Sequence, residues 1–99
     1  MTVYVIADVQ VTDDSWIPDY AANVHGIVEK HGGKYLVRGG NAEAPEGDWR
    51  PERLVILEFP SRSHAKALLE DPDYQAIAPL RQTTTRSNLI IVDGVDGQP

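Results

Sequence analysis

The chain has 99 residues, a net charge of −6 at neutral pH and 41% hydrophobic residues, which together are typical of one small globular domain. The acidic balance and the scattered basic residues argue against a nucleic acid or an anionic membrane as partner, because phosphate groups attract clustered Lys and Arg. Cysteine is absent, which excludes disulfides and thiolate chemistry, and no apolar run approaches the ~20 residues of a membrane span.

The first segment alternates between two faces, which predicts a half-buried strand over residues 3–11. Its valines at odd positions form one face, and the other face carries Tyr4, Ile6, Asp8 and Gln10. A helix is expected next, capped by Ser15 and ended by the Gly32-Gly33 pair. Its apolar stripe at helical spacing consists of Trp16, Tyr20, Val24, Ile27 and Val28.

Two further strands follow, separated by an irregular loop. The second strand is expected over Lys34–Arg38, and the third over Arg53–Phe59. Glycine, proline and acidic residues between Gly39 and Pro51 are typical of a loop rather than a helix or strand. In the third strand, Leu54, Ile56 and Glu58 alternate with Val55, Leu57 and Phe59.

The second half of the chain is predicted to be helical before a last strand. Ser61 or Ser63 is a suitable cap for a second helix, which Asp71-Pro72-Asp73 breaks. A further helical piece over residues 74–82 contains Pro79, so we expect it to be kinked or short. The last strand is expected over residues 88–92, and residues 94–99 form a polar tail.

The order βαββαβ predicts one α+β domain over residues 1–99 with a ferredoxin-like arrangement. Two split βαβ units with right-handed crossovers give a four-stranded antiparallel sheet with both helices on one face. The other face, here called the open face, is then apolar, and a soluble monomer rarely exposes such a surface. We therefore expect a homodimer that pairs two open faces, each carrying Tyr4, Ile6, Leu36, Leu54, Ile56 and Ile90.

Four blocks of the chain resemble domain-of-unknown-function family 1330: residues 32–40, 55–61, 71–75 and 89–94. The resemblance implies the dimeric α/β-barrel superfamily, in which two ferredoxin-like sheets enclose a barrel with a pocket in each protomer. It brings no settled activity, since relatives include cofactor-free monooxygenases, isomerases, haem enzymes and structural proteins. The family's last strand usually opens with an acid, where this chain has Asn88, and its closing motif Glu-Gly-Tyr-Asp-Gly is replaced by Asp93-Gly94-Val95-Asp96-Gly97. A proton-acceptor role at position 88 is thereby in doubt.

The sharpest candidates for chemistry are Arg38 and Glu58. Arg38 shares parity with Leu36, so strand alternation places it on the open face almost opposite Glu58. The same parity adds residues to a polar cluster inside the barrel, namely Tyr4, Asp8 and Asn88. In a pocket, Arg38 binds a carboxylate or carbonyl bidentately while Glu58 or Asp8 acts as a general base. The alternative is a structural ion pair or a network at the dimer interface.

Three other residues are candidates for the rim of the pocket. Trp49, in the glycine-rich loop, is either a hydrophobic plug or dimer contact, or a lid. His31 either binds the last carbonyls of the first helix or acts at the pocket rim, and Arg81 lies either at a pocket entrance or on solvated surface. The three histidines lack the spacing of a helical zinc site, and no glycine pair has the context of a phosphate loop. No metal or cofactor is expected.

Two functions follow from these patterns. In one, the protein binds a small oxygenated or carboxylated molecule in a barrel pocket, with or without transforming it in the absence of a cofactor. In the other, it is a non-enzymatic structural or interaction dimer with a filled barrel. The start of the chain lacks the basic and long apolar regions of a signal peptide, so we expect a cytoplasmic location.

Overall fold

The computed structural model describes the backbone of residues 1–11, 17–39 and 41–97, and the side chains within these ranges except those of residues 11, 17–22, 80–86 and 97. The predicted helix cap at Ser15 and Trp16 of the apolar stripe lie outside the described residues. The elements, in chain order, are β1 (Val3–Val11), α1 (Ile17–Lys30), β2 (Lys34–Gly39), β3 (Arg53–Phe59), α2 (Arg62–Glu70), α3 (Pro72–Thr84), β4 (Thr85–Asp93) and a 3-10 turn (Val95–Gly97).

The sheet has four antiparallel strands in the order β2-β3-β1-β4. The strand β3 lies between β1 and β2, and β1 lies between β3 and β4, so each βαβ unit is split by a strand of the other. The predicted α+β fold with the ferredoxin-like arrangement is confirmed. No helix in the described part of the chain is both long enough and apolar enough to cross a membrane.

The core forms on one face of the sheet, where strand alternation places the odd residues of β1 and β3. Val3, Val5, Leu57 and Phe59 are buried there against the helices. The helical residues that meet them are Val24, Val28, Ala65, Leu68, Tyr74 and Ala78. Because the described helices supply these contacts to the same set of strand residues, the opposite face of the sheet is left without a helical cover.

The end of α1 is fixed by the predicted glycine pair. Gly32 has φ +78°, the left-handed conformation that glycine adopts without strain, and its amide donates to the carbonyl of Glu29 at 3.0 Å. Gly33 lies so close to the core that an added Cβ would be 2.6 Å from the Phe59 ring. The pair therefore both ends the helix and lets β2 start against the aromatic core.

The region after α2 differs from the prediction in one respect. α3 is a 13-residue helix that contains Pro79, whereas a kinked or short helical piece was expected. Its start is well defined, because Asp71 precedes Pro72 at the first helical position and its carboxylate accepts from the amide of Asp73 at 2.8 Å. An N-cap aspartate followed by proline starts this helix two residues before the expected position.

Residues 94–97 are more ordered than a polar tail. The amide of Gly94 donates to the carbonyl of Thr2 at 2.8 Å, and the amide of Thr2 donates to Oδ2 of Asp96 at 3.0 Å. The hydrogen bond from the Thr2 amide is the main cause that holds the pKa of Asp96 below its usual range. Residues 98–99 of the predicted tail lie outside the described residues.

Candidate functional site

The open face is apolar in the middle of the sheet and partly exposed to solvent. Val37 on the edge strand β2 and Ile90 and Val92 on the edge strand β4 are between 38% and 55% exposed, and the bulge residue Leu36 is 47% exposed. Residues of the two central strands are half-buried on the same face: Tyr4, Ile6, Leu54 and Ile56. The predicted apolar open face is present in this chain.

A β-bulge in β2 changes which of its side chains reach that face. Tyr35 pairs with Leu57 and Val37 pairs with Ile56, so Leu36 is an extra residue in the ladder. After the bulge, Arg38 pairs with Val55, which packs against the core on the helical face. The guanidinium of Arg38 lies over the ring of Tyr35, 5.2 Å from its centroid. The prediction that Arg38 lies on the open face opposite Glu58 is therefore wrong.

Lys34 takes the position that was assigned to Arg38. It pairs with Glu58 in the ladder, and its Nζ lies 3.4 Å from the Glu58 carboxylate. The sequence pattern could have indicated this pair, because Lys34 shares parity with Leu36 and lies before the bulge that breaks the alternation.

The predicted polar cluster is divided between two ends of the open face. Tyr4 pairs with Glu58 at one end, whereas Asp8 pairs with Leu54 and with Asn88 at the other. Asp8 lies four positions after Tyr4 in β1, a distance of roughly 13 Å at the usual rise of a strand. Glu58 and Asp8 therefore cannot act on the same bond of a small ligand, and apolar side chains fill the space between them.

Asp8 has a second neighbour that comes from the loop between β2 and β3. The indole Nε1 of Trp49 donates to Oδ2 of Asp8 at 2.8 Å. Trp49 as a residue is nevertheless 65% exposed. Oδ1 of the same carboxylate is buried and has no hydrogen-bond partner. A buried carboxylate oxygen without a donor raises the free energy of the folded chain, so this atom marks a place where a donor would bind.

Most of the described residues in the loop that carries Trp49 are exposed. Two of its residues have a left-handed backbone, Asn41 with φ 65° and Gly47 with φ 80°. The Nε of Arg50 donates to the carbonyl of Ala42 at 3.3 Å, which closes the loop on itself. The hydrogen bond from Trp49 to Asp8 is thus a link between this loop and the open face.

His31 lies in the helical layer rather than at the rim of a pocket. Its Nε2 is 2.7 Å from Oδ2 of Asp71, and Nζ of Lys30 is 3.1 Å from the same oxygen. The His31 ring, the Asp73 amide and the Lys30 ammonium together hold the pKa of Asp71 well below its usual range. His31 therefore links the end of α1 to the junction of α2 and α3. The side chain of Arg81, the other candidate for the pocket rim, lies outside the described residues.

No cluster of three or more His, Asp or Glu side chains with metal-binding geometry occurs within residues 1–10, 23–39, 41–79 and 87–96. What the arrangement offers chemically is a carboxylate hydrogen-bond acceptor, Asp8, beside Asn88 and an aromatic N–H donor, at one end of an apolar surface. At the other end it offers the neutral pair Lys34–Glu58 beside the Tyr4 hydroxyl. The first of these ends is the candidate site.

Comparison with known proteins identifies a family without an assigned activity. A family model described as a domain of unknown function (DUF1330) matches residues 2–95. No curated protein matches the chain.

Solved structures share the fold at low sequence identity. A protein of unknown function from Rhodopseudomonas palustris has a TM-score of 0.80 and 20% identity, covering 95% of this chain and 82% of its own. SnoaB, a cofactor-independent oxygenase from Streptomyces nogalater, has a TM-score of 0.69 and 11% identity, covering 99% of this chain and 97% of its own. A dimeric ferredoxin-like protein of unknown function from Jannaschia sp. CCS1 has a TM-score of 0.65 and 10% identity, covering 95% of this chain and 100% of its own. These likenesses establish the fold.

Proposed function

This chain belongs to the DUF1330 family, and from that membership and the geometry of its sheet we propose that it is a homodimer whose paired open faces enclose a pocket for a small oxygenated molecule. The observation that carries the proposal is the carboxylate of Asp8, whose buried Oδ1 has no hydrogen-bond donor although it borders an apolar surface.

The composition of the open face supports pairing with a second copy. Its edge strands carry exposed aliphatic side chains and its central strands half-buried ones, and covering them removes apolar surface from water. The charge of Glu58 is balanced by Lys34, so Asp8 is the remaining charge among the described residues of this face. The face therefore carries much less charge than the net −6 of the whole chain. Two such faces can approach without strong repulsion, and the dimeric neighbour from Jannaschia supports the same assembly.

The polar end of the face supports binding of a ligand. Ligand pockets are mostly apolar and contain a small number of fixed polar groups that orient the ligand. Asp8, Asn88 and Trp49 supply such groups beside Ile6 and Ile90. Asp8 is placed to accept a proton or a hydrogen bond, and Tyr4 pairs with Glu58 in the ladder at the far end of the same face. Arg38 and His31 have no part in this pocket because both lie on the helical side.

A thermal-shift screen of the purified protein against alcohols, phenols, ketones, lactones and carboxylates tests the proposal. A ligand present at ~100 times its dissociation constant adds ~2.7 kcal/mol to the free energy of unfolding. The proposal predicts at least one class of stabilising ligand, and loss of that effect in Ile90→Asp, which places a charge on the open face in the middle of the edge strand β4. The matched control is Val95→Asp, which places the same charge at a residue that is 88% exposed outside the sheet. A flat response across the panel would favour a structural dimer with a filled barrel.

A further inference from the structure

We infer that the pocket at Asp8 selects a ligand with a neutral hydroxyl group on an apolar body, and that it rejects carboxylates and phosphates of the same size. This inference rests on the proposed function and names the chemical class of the ligand. Its basis is the hydrogen bond between the half-buried Asp8 carboxylate and an aromatic donor, with one carboxylate oxygen buried and without a donor, on a face whose described lysine is paired with Glu58.

The contact between Trp49 and Asp8 shows what this carboxylate accepts within the chain. The donor is a single uncharged N–H group on a flat apolar ring, and its distance of 2.8 Å is that of a well-formed hydrogen bond. A carboxylate has lone pairs on both oxygens, and here the second oxygen is buried without a donor. A hydroxyl group on an aromatic or alicyclic ligand supplies the donor that Oδ1 lacks and leaves the apolar body on Ile6 and Ile90.

The charges around Asp8 argue against an anionic ligand. The described lysine of the open face, Lys34, lies at the opposite end and is paired with Glu58. Arg38, which would otherwise bind a carboxylate, extends over Tyr35 on the helical face as a result of the β-bulge. A ligand carboxylate next to Asp8 would bring two like charges together on an apolar surface, which is unfavourable.

Oδ1 is buried in the single chain, so a donor on the ligand reaches it only when neighbouring groups move, and the Trp49 indole already holds the other oxygen of this carboxylate. The loop residues around Trp49 are exposed, and Asn41 and Gly47 in left-handed conformations form its turns. Ligand binding therefore changes the surroundings of the Trp49 indole.

The test is isothermal titration at pH 7 with three probes that share one apolar body: 2-naphthol, 2-methoxynaphthalene and 2-naphthoate. The unsubstituted protein is expected to bind 2-naphthol about tenfold or more tightly than either of the others, since a hydrogen bond to a charged group contributes at least that factor. The methoxy probe has the same shape without a donor, and the naphthoate probe adds a negative charge.

Asp8→Asn gives a second, independent measurement. The amide oxygen of the substituted side chain can still accept from Trp49, and in that orientation its Nδ2 group faces the ligand as a donor. The ratio of naphthol affinity to naphthoate affinity is therefore expected to fall about tenfold or more. Glu46→Gln is the matched control, because it removes the same charge from an exposed loop residue and should leave the ratio unchanged. Circular dichroism checks that each variant is folded.

The outcomes separate this inference from the proposed function. Tighter binding of naphthoate, or equal binding of all three probes, would overturn the hydroxyl preference while the pocket itself stands. Absence of binding by every probe would also overturn it, and the wider thermal-shift panel then decides whether a pocket exists at all.

Discussion

The indole Nε1 of Trp49 donates a hydrogen bond to Oδ2 of Asp8 at 2.8 Å, although the two residues are separated by 41 positions in the sequence. This bond joins the loop between β2 and β3 to the central strand β1 at the edge of the open face. It also leaves Oδ1 of the same carboxylate buried without a donor. The loop and the candidate pocket are therefore coupled through one side chain.

Trp49→Phe tests this coupling, because it keeps an aromatic ring and removes the N–H donor. We expect the free energy of unfolding to fall by about 1 kcal/mol, the usual net value of such a hydrogen bond. Urea unfolding of the single variants Trp49→Phe and Asp8→Ala and of the double variant measures the interaction as a coupling energy, because each change removes one partner of the hydrogen bond. Strictly additive effects of the two changes would show that the hydrogen bond makes no contribution in solution.

Arg38→Met is expected to leave ligand binding unchanged. The guanidinium lies 5.2 Å from the centroid of the Tyr35 ring on the helical face, so it does not reach the open face. The variant should lose a cation–π contact of about 0.5–1 kcal/mol, which chemical denaturation can detect. Loss of binding for a ligand found in the thermal-shift screen, with stability unchanged, would place Arg38 in the pocket after all.

The two glycines near the end of α1 should respond to alanine in opposite directions. In Gly33→Ala the new Cβ would lie 2.6 Å from the Phe59 ring and 2.8 Å from Val28, so we expect a loss of about 1–3 kcal/mol. Gly26 has no other atom within 4 Å of an added Cβ and lies inside the helix, so Gly26→Ala should add roughly 0.5–1 kcal/mol. Thermal unfolding of the two variants gives the comparison, and a destabilised Gly26→Ala would contradict it.

The Asp71 carboxylate makes stability depend on pH in the acid range. Its pKa in the folded chain lies well below the ordinary value of 3.8, because the His31 ring, the Asp73 amide and Lys30 stabilise the charged form. The unfolded chain therefore binds a proton at higher pH than the folded chain, and the stabilisation is present above pH 3.8 and is lost as the pH falls below it.

We expect Asp71→Asn to have a lower melting temperature at pH 6 and a weaker decline of that temperature between pH 5 and pH 3. Asp73→Asn is the control, since that side chain is exposed and lies 4.0 Å from Lys30. Parallel declines for the unsubstituted protein and Asp71→Asn would show that other groups cause the acid sensitivity.

Most of the sheet could be predicted from the sequence because three strands alternate regularly. Parity placed Tyr4, Ile56 and Ile90 on the open face, and the ladder of β1 with β3 and β4 confirms this placement. The same rule failed for Arg38, since the bulge at Leu36 inserts one residue and moves the following side chain to the other face. Leu36 and Val37 are both apolar, so the sequence shows no break in its pattern there.

The contacts that define the candidate site were less accessible to prediction. The sequence identified Asp8 and Trp49 separately, but their hydrogen bond depends on the path of an irregular loop with no periodic pattern. The role of Asp71 could have been found, because an aspartate before a proline is a frequent start of a helix. Its contact with His31 depends on the packing of α1 against the junction of α2 and α3.

Sedimentation equilibrium tests the pairing of open faces most directly. It is measured for the unsubstituted protein, Ile90→Asp and Val95→Asp over a range of concentrations. Pairing of the open faces predicts a particle of twice the 10.9 kDa chain mass for the unsubstituted protein and for Val95→Asp. Ile90→Asp is predicted to sediment as a folded monomer, because a charge on the open face of β4 would be buried without a partner when two faces pair. A monomeric unsubstituted protein, or an Ile90→Asp dimer of equal affinity, would contradict the pairing of open faces and with it the enclosed pocket.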